Sequence, residues 1–203
     1  MEIRSDRETQ IFDGVLRLAA GGSDLGQLKV QEIADAAGMG KGTLYEYFRS
    51  KEEILLGTFF YCIQRELTAL EQLLEACHDF DALLEKSLDY VSDLIDSRAS
   101  SYRLIALALN PGEQQDRCRG FLPEYGGRLR TLLQRAMALG KQSRSVRQDC
   151  EYSYFAYVIS SAYMSFANAL MHQKSEVPPE FSFLCDKGKL RAYTRSMLKR
   201  ALA

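Results

Sequence analysis

Residues 30–52 read VQEIADAAGMGKGTLYEYFRSKE, and their pattern decides how the chain is read. Val30, Ile33, Ala34 and Ala37 fall at three- and four-residue spacing, which gives a brief helix one inward face. Gly38 stands where a left-handed C-terminal cap residue is wanted, and Met39-Gly40 make a tight turn. A third helix is expected from Lys41 to about Arg49. It places Leu44 and Phe48 four apart on one face and leaves Lys41, Thr43, Tyr45 and Tyr47 to project elsewhere. Ser50 then reads as an N-cap, with Glu52 and Glu53 favoured in the first turn by the helix dipole, opening a long helix to about Ala76. Two short helices joined by a glycine-containing turn, the second bearing outward polar and aromatic side chains, have the shape of a DNA-reading helix-turn-helix.

Working outward, Ile11, Phe12, Val15, Leu16 and Ala19 mark a first helix that stops at Gly21-Gly22, with a short loop through Gly26. Beyond the long helix, apolar faces recur at Phe80–Ile95, Tyr102–Leu109, Phe121–Leu139, Tyr152–Leu170 and Leu190–Leu202. Pro111-Gly112, a polar segment from Gly140 to Arg147, and Pro178-Pro179 separate them. There are only four prolines in 203 residues and no alternating β-branched stretch. The expectation is an all-α fold of about nine helices. A helix-turn-helix domain over residues 1–50 is joined by the long helix to a C-terminal bundle over residues 51–203.

The run from Val30 to Glu52 closely resembles the signature of the tetracycline-repressor (TetR) family, and the resemblance extends over about residues 5–56, roughly a quarter of the chain. It implies that Lys41, Gly42 and Thr43 approach base edges and phosphates at the N-terminal end of a recognition helix, while Tyr45, Tyr47 and Lys51 hold the DNA backbone. The chemistry of these residue types agrees. Lysine supplies charge and counterion release, hydroxyls donate to phosphate oxygens, and glycine lets the main chain come close to the groove wall.

Two departures from the family pattern stand out. Lys29 occupies a position where threonine commonly caps the second helix, a loss of about 1 kcal/mol in isolation, and is expected to contact phosphate instead. Gly40 replaces a common serine, which removes a hydroxyl and bears on operator preference.

The net charge of −1 makes no electrostatic case for a nucleic-acid partner by itself. From Lys41 to Lys51 the bases Lys41, Arg49 and Lys51 face one acid, Glu46, so the local strip is positive. Residues 1–55 as a whole hold ten acids against seven bases, so Arg4 and Arg7, just before the first helix, are candidates to reach a neighbouring groove or phosphate.

For the rest of the chain the resemblance implies a helical bundle enclosing an effector pocket, and a homodimer formed through the last two long helices. Phe155, Ala156, Ile159, Ala162, Tyr163, Phe166 and Ala169 mark a broad apolar face whose small members permit close helix approach, and Leu190, Met197, Leu198 and Ala201 offer a second. Candidate pocket residues are Phe59, Tyr61, Tyr90, Leu94, Tyr102, Ile105, Phe121, Tyr125 and Tyr163, mostly aromatics suited to a largely apolar small molecule or, equally, to filling a core. The expected partners are double-stranded operator DNA, a small-molecule effector and a second copy of the chain. The expected function is a transcription repressor released by that effector. An activator on the same DNA-binding domain, or a non-catalytic small-molecule-binding protein, are the alternatives.

Several function classes lack their parts. The Gly38–Thr43 cluster has Gly42, not Ser or Thr, directly after its lysine, so it fails as a phosphate loop, and no upstream strand supports a dinucleotide fingerprint. His78 and His172 have no metal-protease spacing, and there is no G-x-S-x-G elbow. Neither catalytic residue, metal nor cofactor is expected. Five widely spaced cysteines without a C-x-x-C pair (Cys62, Cys77, Cys118, Cys150 and Cys185) read as small apolar fillers. The charged opening stretch and the lack of a long apolar run give no signal peptide or membrane span, and a cytoplasmic location is expected.

Overall fold

The computed structural model describes residues 5–109, 122–171 and 179–203. Its helices are α1 (Asp6–Ala20), α2 (Val30–Ala37), α3 (Lys41–Tyr47), α4 (Lys51–Glu75), α5 (Phe80–Leu109), α6 (Leu122–Gln142), α7 (Tyr152–Met171) and α8 (Lys187–Leu202), with a 3-10 segment at Pro179–Cys185. Among the described residues there is no strand. No helix among them is long and apolar enough to cross a membrane.

Among the described residues, Phe80–Ile95 and Tyr102–Leu109, expected as two helices, are one continuous helix. The intervening residues 96–101 contain neither glycine nor proline, so nothing in them stops propagation once the flanking turns have formed.

By compactness the described residues fall into two units, one made of 5–66, 98–109 and 122–125, the other of 67–97, 126–171 and 179–203. Both α4 and α5 contribute to each.

The first unit is built on α1–α3 and the start of α4. Ser5 opens α1 with a reciprocal box, its Oγ accepting from the Glu8 N–H at 3.2 Å while Glu8 Oε2 accepts from the Ser5 N–H at 2.8 Å. The core comprises Ile11, Phe12, Val15, Leu28, Ile33, Ala34, Leu44, Phe48 and Ile54. Phe12 is its centre, with ring centroids 5.5 Å from both Phe48 and Tyr61. Two glycines permit the close approaches. A Cβ on Gly14 would lie 3.0 Å from the Ala37 nitrogen, and one on Gly57 would lie 2.8 Å from Cε1 of Phe12. The Arg17 guanidinium donates to the Ala36 carbonyl, adding a polar tie between α1 and α2.

The second unit packs the end of α4, the first half of α5, α6, α7 and α8. Phe80 and Phe155, both fully buried, meet at 5.9 Å between centroids. The turn after α6 is tightly fixed. Val146 packs onto Gly140 where a Cβ would be only 2.4 Å from Val146 Cγ2. The Arg147 N–H and guanidinium donate to the carbonyls of Leu202 and Ala201, at 2.8 and 2.9 Å, satisfying the open end of α8.

A ladder of ion pairs ties α8 to α5 in antiparallel register. Lys199 meets Asp81 at 2.7 Å, Arg195 meets Glu85 at 2.5 Å, Arg191 meets Glu85 at 2.7 Å and Asp89 at 2.9 Å, and Lys187 meets Asp96 at 2.5 Å. The four-residue spacing of Asp81, Glu85 and Asp89 against Arg191, Arg195 and Lys199 puts each set on one face of its helix.

Candidate nucleic-acid interface

The α2–turn–α3 segment takes its shape from two glycines with different roles. Gly38 has φ +69° and ψ +32°, a left-handed conformation that caps α2, and its N–H reaches the carbonyls of Ala34 and Asp35. The Met39 N–H adds a 2.9 Å bond to the Ala34 carbonyl. Gly40 caps α3 with an ordinary φ of −73°, and a Cβ there would meet nothing within 4 Å.

Leu44 is completely buried and Phe48 nearly so, and these two anchors fix which way α3 faces. Lys41, Gly42, Tyr45 and Tyr47 are exposed, Tyr45 at 49 % and Tyr47 at 38 %, and Thr43 is half-buried. Both rings present an apolar body and a hydroxyl to water, side chains able to stack and to donate a hydrogen bond. The Lys41 ammonium stands 6.0 Å from the Tyr45 ring centroid.

The helix ends at Tyr47, two residues earlier than expected. Phe48 is extended (φ −135°, ψ 135°) because its side chain must turn back into the core. Chain direction then passes through Ser50, whose Oγ accepts from the Glu53 N–H at 3.1 Å, as expected of an N-cap; Glu53 in return accepts from the Arg49 N–H at 2.6 Å.

Lys29 is exposed at the head of α2, and its own N–H donates to Glu32 Oε2 at 2.7 Å. Lysine has no acceptor to offer, so Glu32 supplies the one side-chain cap here. Lys51 differs from its neighbours in α3. Its Nζ donates to the Gly26 carbonyl at 2.7 Å, drawing the loop after α1 onto the start of α4.

In the other unit the helices enclose a cavity of about 300 Å³. Leu70 and Leu74 come from α4; Phe80, Leu83, Leu84, Ser87 and Val91 from α5; Leu129, Leu132, Leu133 and Ala136 from α6; Phe155, Ile159, Ser160, Tyr163 and Met164 from α7. Among the described residues no charged side chain lines it. The Ser87 and Tyr163 hydroxyls are hydrogen-bonded to each other. Burial, with a further push from the charge of Glu85, drives the Tyr163 phenol up to about 12, so it is neutral at any ordinary pH.

Of the aromatic and aliphatic residues singled out as pocket candidates, Tyr163 lines this cavity. Tyr90 and Leu94 lie half-buried on α5 and do not line it. Phe59 packs on Phe60 at 5.0 Å, and Tyr125 stacks on Phe60 at 5.2 Å, within the first unit. Tyr61 belongs to the Phe12 cluster; burial, reinforced by its hydrogen bond to Asp13, holds its phenol above the usual range. Tyr102 and Ile105 fall on α5 where side chains are outside the description, and Phe121 is outside the described residues. The leucines of the wall were missed because an aliphatic residue that lines a cavity has the same helical spacing as one that fills a core.

The apolar face read on Tyr152–Leu170 points into the chain's own interior. Phe155, Ala162, Phe166, Ala167 and Leu170 are buried, as are Leu190, Leu198 and Leu202 of α8. A different set is left open on the same two helices, namely Tyr154, Tyr157 and Met164 on α7 with Tyr193 and Met197 on α8. Three of the five cysteines, Cys62, Cys77 and Cys150, are buried, and Cys185 is exposed. Among the described residues no group of three acidic, histidine or cysteine side chains is placed to hold a metal.

An outward-facing second helix in a helix-turn-helix is the arrangement with which DNA-reading modules enter the major groove. The profile of a family described as bacterial regulatory proteins, tetR family, matches residues 23–58, the segment that holds α2, α3 and the start of α4. Whole-chain likeness adds the fold. A TetR family transcription regulator from Marinobacter aquaeolei is 20 % identical, with a TM-score of 0.64 over 97 % of this chain and 95 % of that one. The regulator FadR from Bacillus subtilis, solved in complex with stearoyl-CoA, is 19 % identical, with a TM-score of 0.64 over 96 % and 97 % of the two chains. Reduced NemR from Escherichia coli is 14 % identical, with a TM-score of 0.70 over 98 % of each. Residues 23–58 are thus similar to the DNA-reading segment of the tetR family, and over its whole length the chain shares the fold of these regulators.

Proposed function

We propose that the protein is a homodimeric transcription repressor, residing in the cytoplasm, that a small molecule releases from a palindromic operator. The observation that carries this reading is the orientation of α3. Leu44 and Phe48 are locked in the core while Lys41, Gly42, Tyr45 and Tyr47 stay open to water. Residues 1–50 act as the DNA-binding domain and residues 51–203 as the effector and dimerisation domain. Lys41, Gly42 and Thr43 approach bases and phosphates, while Lys29, Tyr45, Tyr47 and Lys51 grip the backbone.

Two copies pair through the open faces of α7 and α8, where Tyr157 and Tyr193 are 71 % and 57 % exposed. Pairing sets two recognition helices about one DNA turn apart, and each half-site alone binds too weakly to be useful. The effector occupies the cavity among α4–α7. It favours a conformer with wrongly spaced recognition helices, and α4, the helix shared by both units, carries the shift. A coupling of roughly 1–3 kcal/mol changes operator affinity from several-fold to about a hundredfold.

Gel retardation of DNA flanking the protein's own gene tests this. Retention that survives competitor DNA, and a retarded species containing two protein chains, are expected. Absence of retention at low salt overturns the reading.

A further inference from the structure

The cavity among α4–α7 has a hydrogen-bonding polarity that can be worked out from its proton inventory. Ser87 Oγ donates to the Leu84 carbonyl at 3.1 Å. A hydroxyl has one proton to give, so while that proton goes to Leu84 the serine oxygen accepts, and the phenol donates, in the contact between Ser87 and Tyr163. Both protons are then committed, and the Tyr163 oxygen is left with acceptor capacity alone. Ser87 is buried, whereas Tyr163 keeps partial exposure because it faces the cavity. The other polar wall residue, Ser160, is solvent-exposed.

Among the described residues the rest of the wall is aliphatic or aromatic, with no lysine, arginine or histidine to balance an anion and no carboxylate to balance a cation. An unpaired charge in such surroundings is strongly disfavoured. At about 300 Å³ the space is at the small end of ligand pockets, too small and too apolar for a coenzyme A phosphate.

We propose that this cavity takes a compact, uncharged, largely apolar molecule that donates one hydrogen bond, and that Tyr163 Oη is the acceptor. The inference rests on the effector-site reading above and adds the ligand's chemical class. A neutral alcohol, phenol or N–H heterocycle fits; carboxylates, phosphates and ammonium ions are excluded. Ser87 is the positioning residue, because its bond to Leu84 holds the phenol proton inward and fixes the polarity.

The test uses calorimetric titration of the full-length protein with four probes of one shape, namely 1-naphthol, naphthalene, 1-naphthaldehyde and 1-naphthoate. Naphthol binds about fivefold tighter than naphthalene, the worth of one neutral hydrogen bond, and naphthoate binds at least tenfold weaker than naphthol. Tyr163→Phe removes the naphthol advantage and leaves naphthalene unchanged. Ser87→Ala releases the phenol proton, so naphthaldehyde gains relative to naphthol, a reversal that loss of packing would not produce. Naphthoate binding as tightly as naphthol, or a naphthol advantage that persists in Tyr163→Phe, overturns the ligand class. Failure of all four probes to bind overturns the cavity as a ligand site. Should the preferences hold while naphthol leaves operator retention unaltered, the ligand class stands and the effector reading falls.

Discussion

The Lys51 ammonium and the Gly26 carbonyl oxygen are 2.7 Å apart, so the first residue of α4 holds the loop that precedes α2. A residue assigned to DNA backbone contact also pins the support of the helix-turn-helix. Lys51→Met removes both the charge and the tie, and is expected to lower folding stability by about 1 kcal/mol and to weaken DNA binding on every sequence alike. Lys51→Gln keeps a donor for Gly26 and loses the charge alone. Its stability stays near wild type while the slope of log affinity against log salt falls by about 0.9, one phosphate contact. Anisotropy titrations at several salt concentrations read both; unchanged affinity in the two variants removes Lys51 from the interface.

Gly14 and Gly40 are expected to respond in opposite ways. Gly14 lies where α1 crosses the α2 backbone, and Gly14→Val is expected to cost about 1–3 kcal/mol by overpacking. Gly40 has open space and an ordinary φ. Gly40→Ser is expected to leave stability within about 0.5 kcal/mol of wild type while altering which operators are preferred. Urea unfolding, together with binding selection from randomised DNA, measures the pair.

How much of this was legible beforehand follows from the kind of signal each feature leaves. The helix-turn-helix was, because glycines and a four-residue apolar step constrain local geometry strongly; Gly38, Leu44, Phe48 and Ser50 all occupy their expected roles. The length of α5 was not, since a polar stretch such as residues 96–101 is compatible with either a loop or an exposed helical turn. The cavity wall was not either. Whether Leu83 or Leu132 touches a neighbour or a void depends on how four helices meet, and helical periodicity reports only which side faces inward. The same ambiguity hid the division of α7, whose Phe155 face is internal while Tyr154, Tyr157 and Met164 remain open.

Those open residues lead to a test of the dimer. Tyr157→Glu combined with Tyr193→Glu puts charge on the exposed face without touching the buried one, and is expected to give monomers in sedimentation at micromolar concentration. The variant should keep its helical circular dichroism and lose at least tenfold in operator affinity, as each half-site is then bound alone. A variant that remains dimeric places the contact elsewhere.

Acid stability should carry the mark of Glu71. Its hydrogen bond to Arg128, 2.7 Å from Oε2, together with the charge of that guanidinium, holds the carboxyl below the ordinary value of 4.5. A depressed folded-state value means the pair stabilises the fold above the unfolded-state value and ceases to do so as pH falls through the folded one. The difference in Tm between wild type and Glu71→Gln is therefore expected to be constant above about pH 5 and to close at lower pH. A gap that widens on acidification contradicts the assignment.

The rungs between α5 and α8 restrict how the second unit can rearrange. A small axial slip of α8 would bring all the paired charges out of step together, whereas a full turn, about 5.4 Å, would bring like residues back opposite one another. Since α5 also carries Phe80, Leu83, Leu84, Ser87 and Val91 to the cavity, the helix that lines the cavity is the same one that holds the row of charges facing α8.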